Sequence, residues 1–262
     1  MTRLVRTELL KLATMRLSYG MLAVAAALTA LFALLENDQA GTAGSGVPPI
    51  STADGLRTVT TVTGVAMLFA AVLGSIAANG EFRHSTATLT YLTTPKRSRV
   101  LIAKVIAAFC AGSLFGLVAG IIAAGTGLAF VAGHGDHVAL SDGTLVGHMA
   151  GAVVGAALLA ALGAAAGSLV RSQLATVIGI FVWAVIVESA IGGLYTSVRP
   201  YLPYTAATTL AGTKVGSAAF GPAHGLSGGG SLPFVAAAAL IAAFAAAIAL
   251  IAARTTVRRD VT

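Results

Sequence analysis

The sequence predicts an all-α integral membrane protein with six transmembrane helices and both termini in the cytoplasm. Charged residues make up only 10% of the chain and hydrophobic residues 57%, with a mean hydropathy of +0.91. A soluble domain has about 25% charged residues, so this composition excludes a disordered chain and argues against a soluble domain. Six apolar runs are long enough to cross about 30 Å of hydrocarbon, which takes about 20 helical residues.

The predicted spans form one transmembrane domain that covers residues 1–262. All seven prolines lie outside the span interiors, as expected because proline disrupts a helix interior. Pro233 lies in the first turn of the last span, where its missing N–H costs nothing. The six spans are residues 17–35, 58–78, 105–131, 145–170, 174–194 and 232–253.

The basic residues predict the orientation of these spans. Thirteen of the 16 Lys and Arg residues flank one side of the spans, and six of the nine acids lie on the other side. Cytoplasmic flanks are enriched in Lys and Arg, so both termini are expected in the cytoplasm. The net charge of +7 is then a topology signal, and no nucleic-acid partner is expected. The first apolar run ends without a small-residue cleavage site and predicts a retained helix instead of a signal peptide.

Residues 1–16 predict an amphipathic elbow helix that lies in the cytoplasmic membrane interface and contacts lipid headgroups. Glu8 projects from within its apolar arc, which also holds Leu4, Val5, Leu9 and Leu12. A carboxylate near lipid needs a partner. Lys11, one turn on, and a basic residue of the second loop are the candidates. The alternative is that Glu8 extends to the rim of the interface.

The loop at residues 79–104 is too polar to span a membrane and too patterned to be a linker. Ser85 or Thr86 can cap a short helix, and Pro95 ends it. The apolar face of this helix contains Ala87, Leu89, Tyr91 and Leu92. An exposed helix with apolar residues predicts contact with a protein partner or the membrane surface.

The fifth span contains Glu188, the one acid well inside a predicted span. An intramembrane carboxylate indicates function, so we expect it to face the interior and contact substrate or the following loop, where Arg199 is a candidate partner. The alternative is that the span ends before it. The extracellular loop 195–231 contains three prolines. It either dips into the outer leaflet as a hairpin shielded by protein or lies on the surface.

No catalytic or nucleotide-binding motif occurs in the sequence. The Walker A pattern, the glycine-rich dinucleotide turn, His-Glu-x-x-His and Gly-x-Ser-x-Gly are all missing, so we expect a non-enzyme without its own cofactor. His134, Asp136, His137 and His148 are metal-type ligands, but their string is more typical of a polar turn, and no metal is expected. Glycines at four-residue spacing, at 112–120 and 147–167, predict close helix packing within the chain or a dimer seam.

Two segments resemble the membrane subunit of ABC transporters of the type-two permease family, and the likeness in topology covers nearly the whole chain. The elbow helix of that family carries Glu-x-x-Lys followed by Arg, matched here by Glu8, Lys11 and Arg16. The family's second loop has a Glu, a Thr-rich helix with Leu residues, Pro-x-x-x-Arg and Ala-Lys. The matching residues are Glu81, Thr86, Leu89, Leu92, Pro95, Arg99, Ala103 and Lys104.

The resemblance implies a coupling helix around residues 85–94 that docks on a separate ATPase subunit, which binds ATP and Mg²⁺. Two ATPase copies and a second permease, identical or paralogous, would complete an exporter in the bacterial cytoplasmic membrane. The apolar spans and the 6% aromatic content favour a hydrophobic or amphipathic small molecule, such as a drug, antibiotic or antimicrobial peptide. The alternatives are a lipid or glycan exporter and an ATP-independent secondary transporter, which more often has buried ionisable residues or broken helices.

Overall fold

The computed structural model describes residues 1–42, 49, 52, 61–83, 97–134, 142–170, 172–213 and 232–255. Within these ranges the chain is helical and contains no strand, which confirms the all-α prediction for the described residues. A π-helical segment lies at Val182–Val187, and 3₁₀ turns lie at Thr61–Thr63 and Arg199–Tyr201. The helices are α1 Thr2–Thr14, α2 Arg16–Gln39, α3 Gly64–Arg83, α4 Arg97–His134, α5 Asp142–Leu169, α6 Gln173–Phe181, α7 Glu188–Leu194, α8 Pro203–Leu210 and α9 Phe234–Arg254.

Five helical stretches are long and apolar enough to cross a membrane, so the chain is a multi-pass membrane protein. They are Arg16–Gln39, Ser98–Gly133, Leu145–Leu169, Gln173–Leu194 and Phe234–Arg254. The fourth of these is the continuous helix made by α6, the π-helical segment and α7.

Helix α3 occupies the region of the predicted second span, but its apolar part, Gly64–Gly80, is shorter than the other five. The α-helix begins at Gly64, later than the predicted start at residue 58, after a 3₁₀ turn of Thr61–Thr63. Thr and Val are β-branched and restrict side-chain rotation in a helix, which accounts for the late start. Six spans therefore remain a prediction.

The N-terminal segment folds as a helix distinct from the first span. Helix α1 ends at Thr14, and Met15 has an extended backbone with φ −73° and ψ 117° before α2 begins at Arg16. Leu12 and Glu8 are buried on the inner side of α1, which packs against α4. The chain thus turns between α1 and α2, where an elbow was predicted.

The predicted coupling loop, residues 79–104, is partly helical because α3 and α4 both continue into it. Helix α3 runs on to Arg83, and α4 begins at Arg97, two residues after Pro95. Proline is excluded from helix interiors, so α4 cannot include Pro95 within its body. Residues 84–96, which contain the predicted coupling helix, lie outside the described residues.

Helix α5 lies at the centre of the bundle and packs against α3, α4, α8 and α9. Its neighbours approach closely because the facing residues are glycine and alanine. A Cβ atom on Gly112 of α4 would lie 2.6 Å from the Ala160 Cβ of α5, and one on Gly167 would lie 2.9 Å from the Ser75 Cα of α3. Gly116, Gly151, Gly155 and Gly163 are enclosed in the same way, whereas Gly147 faces open space. These contacts account for most of the glycine ladder within one chain.

The outer helices leave large apolar faces uncovered. In the apolar stretch of α5, 61% of the stretch is buried inside the protein. The buried share is 22% for α2 and 17% each for α9 and the α6–α7 helix. The exposed faces carry large apolar side chains, among them Leu31, Leu34, Ile178, Trp183, Ile186, Val235 and Leu250. Apolar patches of this extent are unsuited to water and fit contact with lipid or another protein.

Candidate functional site

An ion-pair cluster joins α1 to α3 and α4. Lys11 Nζ donates to Glu8 Oε1 at 2.6 Å, and Lys104 Nζ, near the start of α4, donates to Glu8 Oε2 at 3.4 Å. Lys104 Nζ also donates to the carbonyl oxygen of Ala77 in α3, again at 3.4 Å. We call Glu8, Lys11, Lys104 and the Ala77 carbonyl the Glu8 cluster. Through it, one ammonium group connects three helices.

Burial makes the longer of the two ion pairs the more important one. Glu8 and Lys104 are 8% and 6% exposed, whereas the Lys11 side chain is 45% exposed. Exposed pairs contribute about 0–1 kcal/mol. Removing one partner of a buried pair costs about 3–5 kcal/mol because an uncompensated charge is left behind. The contact between Glu8 and Lys104 therefore does most to hold α1 in place.

Both partners proposed for Glu8 from the sequence are present in the cluster. Lys11 is available because residues three apart lie on the same side of a helix. Lys104 is the basic residue of the second loop that reaches Glu8. Since Glu8 is buried, the alternative that it extends to the rim is wrong.

A second polar junction lies two residues after Ala77 of the Glu8 cluster, at Asn79 of α3, which is 1% exposed. In the amide orientation that satisfies both of its ends, Asn79 Nδ2 donates to the carbonyl oxygens of Gly167 and, at 2.8 Å, Val170. Its Oδ1 accepts from Thr176 Oγ1 at 3.2 Å. Asn79 thus satisfies carbonyl groups at the C-terminal end of α5, which otherwise lack helical partners. It also joins α3 to α6.

Glu188 lies at the start of α7, directly after the π-helical segment that follows α6, and is 2% exposed. Its backbone N–H donates to the Trp183 carbonyl five residues earlier, and Trp183 Nε1 donates to Glu188 Oε1 at 3.0 Å. In a regular α-helix, residues five apart point about 140° away from each other. The wider π-helical turn brings the indole and the carboxylate to the same side.

The Glu188 carboxylate caps the N-terminus of α8. The Tyr204 N–H donates to Oε1 at 2.8 Å, while the Thr205 N–H and Oγ1 donate to Oε2 at 2.9 and 3.0 Å. Pro203 opens the helix and has no N–H to offer. With Trp183, the carboxylate has four donors, and a negative charge at a helix N-terminus is favourable. Glu188 therefore faces the interior and contacts the following loop, as predicted.

The loop segment held by Glu188 is packed against the bundle. Ala206, Ala207 and Leu210 of α8 are buried. A Cβ atom on Gly155 of α5 would lie 2.8 Å from the Ala207 carbonyl oxygen, and one on Gly151 would lie still closer to the Leu210 carbonyl oxygen. Helix α8 is thus shielded on one side by α5.

Arg199, the candidate partner of Glu188, makes no ion pair with it within the part of the chain that the structure describes. Its side chain instead crosses Gly192, one turn beyond Glu188 in α7. The acid was correctly expected to contact this loop, but it does so through two backbone amides and one hydroxyl.

The remaining predicted site residues are dispersed. Arg16 begins α2 and Arg99 lies in the first turn of α4, both exposed. Glu81 belongs to α3, and its side chain is outside the described residues, as are Thr86, Leu89, Leu92 and Pro95.

No group of three or more His, Cys, Asp or Glu side chains that could hold a metal occurs among the side chains that are described. His148 of α5 lies against Gly212, which has a positive φ of +90°. The side chain of His134 and residues 136 and 137 are outside the described part.

Sequence reasoning missed the junction at Asn79 and the donors to Glu188. The signal for the first was an amide side chain at the polar end of an apolar helix. The signal for the second was Pro203, which is typical of a helix start and therefore of free N–H groups just after it.

Known protein families offer no matching model for this chain, and no curated protein matches it.

Proposed function

We propose that this chain is the membrane-spanning subunit of an ATP-driven exporter of the ABC type-two permease class, powered by a separate ATPase. The observation that carries the proposal is the position of Lys104 Nζ, 3.4 Å from both Glu8 and the Ala77 carbonyl oxygen. The helices that enter and leave the segment 84–96 are thereby tied to α1. A force applied to that segment would reach α1, α3 and α4 together.

The source of that force is an ATPase subunit on the basic side of the protein. The sequence has no Walker A pattern, so ATP and Mg²⁺ belong to the partner. The coupling surface comprises Glu81, Thr86, Leu89, Leu92, Pro95 and Arg99, and Lys104 connects it to the Glu8 cluster. Arg16, at the start of α2, follows the elbow.

The topology proposed for this function has six spans, with α3 as the second. The 17 residues of Gly64–Gly80 would extend about 26 Å at 1.5 Å per residue, close to the thickness of a thin bilayer. Residues 65–73 of α3 are almost all buried, so other helices cover much of it. Both termini then lie in the cytoplasm, and α1 lies in the interface of the bacterial cytoplasmic membrane.

On the outer side, we assign α8 to a re-entrant hairpin held by Glu188. Non-helical backbone at membrane depth is tolerated where protein surrounds it, and the packing of α8 against α5 supports this arrangement. Trp183 is 46% exposed on the thinly packed side of the helix while its indole N–H bonds Glu188. The substrate path would pass along this side of the helix. Glu188 would stabilise the segment that lines the path.

A second permease copy, identical or paralogous, would cover part of the exposed faces of α2, α6–α7 and α9. The apolar side chains on these faces, Ile178, Phe181 and Ile186 among them, suit a hydrophobic or amphipathic small molecule. Binding such a molecule from the membrane requires no catalytic group in this chain.

The test uses inside-out membrane vesicles that contain the chain together with a candidate ATPase subunit that has Walker motifs. We expect accumulation of a lipophilic dye that requires ATP and is lost when the Walker A lysine of the ATPase is replaced by alanine. An ionophore that dissipates ion gradients should leave the accumulation unchanged. Transport that continues without the ATPase and stops with the ionophore would instead identify a secondary transporter.

A further inference from the structure

Arg199 is a buried cation without a counterion among the residues that the structure describes. The side chain is 8% exposed, its Nη1 atom is enclosed without a hydrogen-bond partner, and no ion pair links it to an acid of the described chain. Of its three guanidinium nitrogens, only Nη1 is fully enclosed in this way, so a ligand would approach the edge formed by Nε and Nη2.

Gly192 provides the space in which the Arg199 side chain packs. A Cβ atom on Gly192 would lie 2.9 Å from Arg199 Cγ, 3.0 Å from Cδ and 3.3 Å from Nε. Any larger residue there would push the arginine away. Gly193, the next residue, has nothing within 4 Å of its Cβ position. The close approach is thus specific to Gly192.

Among the described residues, no acid compensates the charge. Glu188 lies one turn before Gly192, but its two oxygens are already bonded by Trp183, Tyr204 and Thr205. A buried charge without a partner is strongly unfavourable. An anion from outside the described residues would therefore stabilise Arg199.

The surroundings of Arg199 are typical of a membrane–water interface. It follows the end of the apolar helix Gln173–Leu194, and its neighbours in sequence expose two tyrosines and two apolar side chains. Tyr and Trp are enriched at the level of lipid headgroups. The exposed residues are Leu194, Tyr195, Val198 and Tyr201.

We propose that Arg199 binds the phosphate group of a membrane phospholipid at this end of the helix. The planar guanidinium group of arginine matches the paired oxygens of a phosphate, while Tyr195 and Tyr201 flank the glycerol region. The lipid supplies the missing counterion and fixes the segment between α7 and α8. The proposal rests on the helix Gln173–Leu194 crossing the membrane, and it is independent of what powers transport.

The experiment titrates the purified, delipidated full chain in a neutral detergent with dioctanoyl phosphatidylglycerol and measures binding by native mass spectrometry. Dioctanoyl glycerol, which lacks the phosphate, and inorganic phosphate, which lacks the chains, are tested as competitors. The variants are Arg199→Gln, Arg199→Lys and Gly192→Ala, with Gly193→Ala as the matched control.

We expect Arg199→Gln to lower the affinity for phosphatidylglycerol at least roughly tenfold. Arg199→Lys should lower it less, because the charge remains but the planar fork is lost. Gly192→Ala should weaken binding with every charge retained, and Gly193→Ala should bind as the unchanged protein does. Neither competitor should displace the lipid.

Three outcomes would overturn the proposal. The first is competition by inorganic phosphate alone, which would identify a soluble anion as the ligand. The second is normal lipid binding by Arg199→Gln together with dissociation of a dimer, which would identify a carboxylate of a second copy. The third is equal binding by Gly192→Ala and Gly193→Ala. If Arg199→Gln fails to fold, the glycine pair and Arg199→Lys decide the question.

Discussion

Replacing Lys104 should loosen α1 far more than replacing Lys11, although Lys11 makes the shorter bond to Glu8. The Lys104→Met variant leaves the Glu8 carboxylate, 8% exposed, without its buried partner. Breaking such a pair costs about 3–5 kcal/mol. The Lys11 side chain is 45% exposed, so Lys11→Met should cost at most about 1 kcal/mol.

The assay is equilibrium unfolding of the purified protein in mixed micelles, with increasing SDS and helix content followed by circular dichroism. A double-mutant cycle of Lys104→Met with Glu8→Gln isolates their mutual term from every other contact of either residue. We expect a coupling free energy of about 1.5–3 kcal/mol for this pair, within the range for residues in direct contact. For Lys11 and Glu8 we expect less than about 0.5 kcal/mol, typical of an exposed helical pair.

A further variant at Glu8 connects stability to the proposed transport. Glu8→Ala should leave membrane insertion intact, because the spans and their basic flanks set the topology, and should reduce ATP-driven export. Equal destabilisation by Lys104→Met and Lys11→Met would refute the reasoning that burial decides the strength of the pair. Unchanged export by Glu8→Ala at normal expression would limit the Glu8 cluster to a structural role.

Three further predictions concern the proposed coupling loop, the capping of α8 by Glu188 and the glycine contacts. If the proposed ATPase docks on this loop, Leu92→Glu should weaken its binding at least about tenfold, equivalent to 1.4 kcal/mol, since burying one Leu contributes about 1.5–3 kcal/mol; full co-purification of the ATPase with normal export would show that docking occurs elsewhere. Glu188→Gln should shift the fluorescence of Trp183, the one tryptophan in the sequence, and lower stability by about 1–3 kcal/mol as α8 loses a charged acceptor; an unchanged spectrum and unfolding curve would contradict the capping role. Gly163→Ala should destabilise by about 1–3 kcal/mol through overpacking against α3, whereas Gly125→Ala, with open space around it, should not; equal effects on thermal unfolding would rule out the packing argument.

The helices and the partner types of Glu8 were predictable from the sequence because each depends on local or compositional information. Long apolar runs predict membrane-spanning helices directly, because the bilayer interior is apolar. The three-residue spacing of Glu8 and Lys11 places both side chains on the same side of a helix. Lys104 was predicted only as one of several basic residues in the loop, because the sequence does not fix the distance between two helices.

The environment of Glu188 was only half predictable. Sequence reasoning placed it inside and against the following loop, but matched its charge with that of Arg199. In the structure, the turn at Arg199–Tyr201 directs the N–H groups of Tyr204 and Thr205 to the carboxylate. A helix N-terminus acts as a positive partner without any basic residue, so a count of charges overlooks it. The composition of Val182–Val187 likewise gives no sign that this segment forms a π-helix.

The alanine-lined contacts around α5 determine how this protein can change shape. Alanine has no side-chain rotamers, so Ala152, Ala156, Ala160 and Ala164, all nearly fully buried, have one way of meeting the helices around them. Switching between conformations requires interfaces with two alternative packings, and long side chains supply these. The α3–α4–α5 unit should therefore behave as a rigid frame. Changes of shape would be confined to its borders with α2, the α6–α7 helix and α9, where large apolar side chains can rearrange.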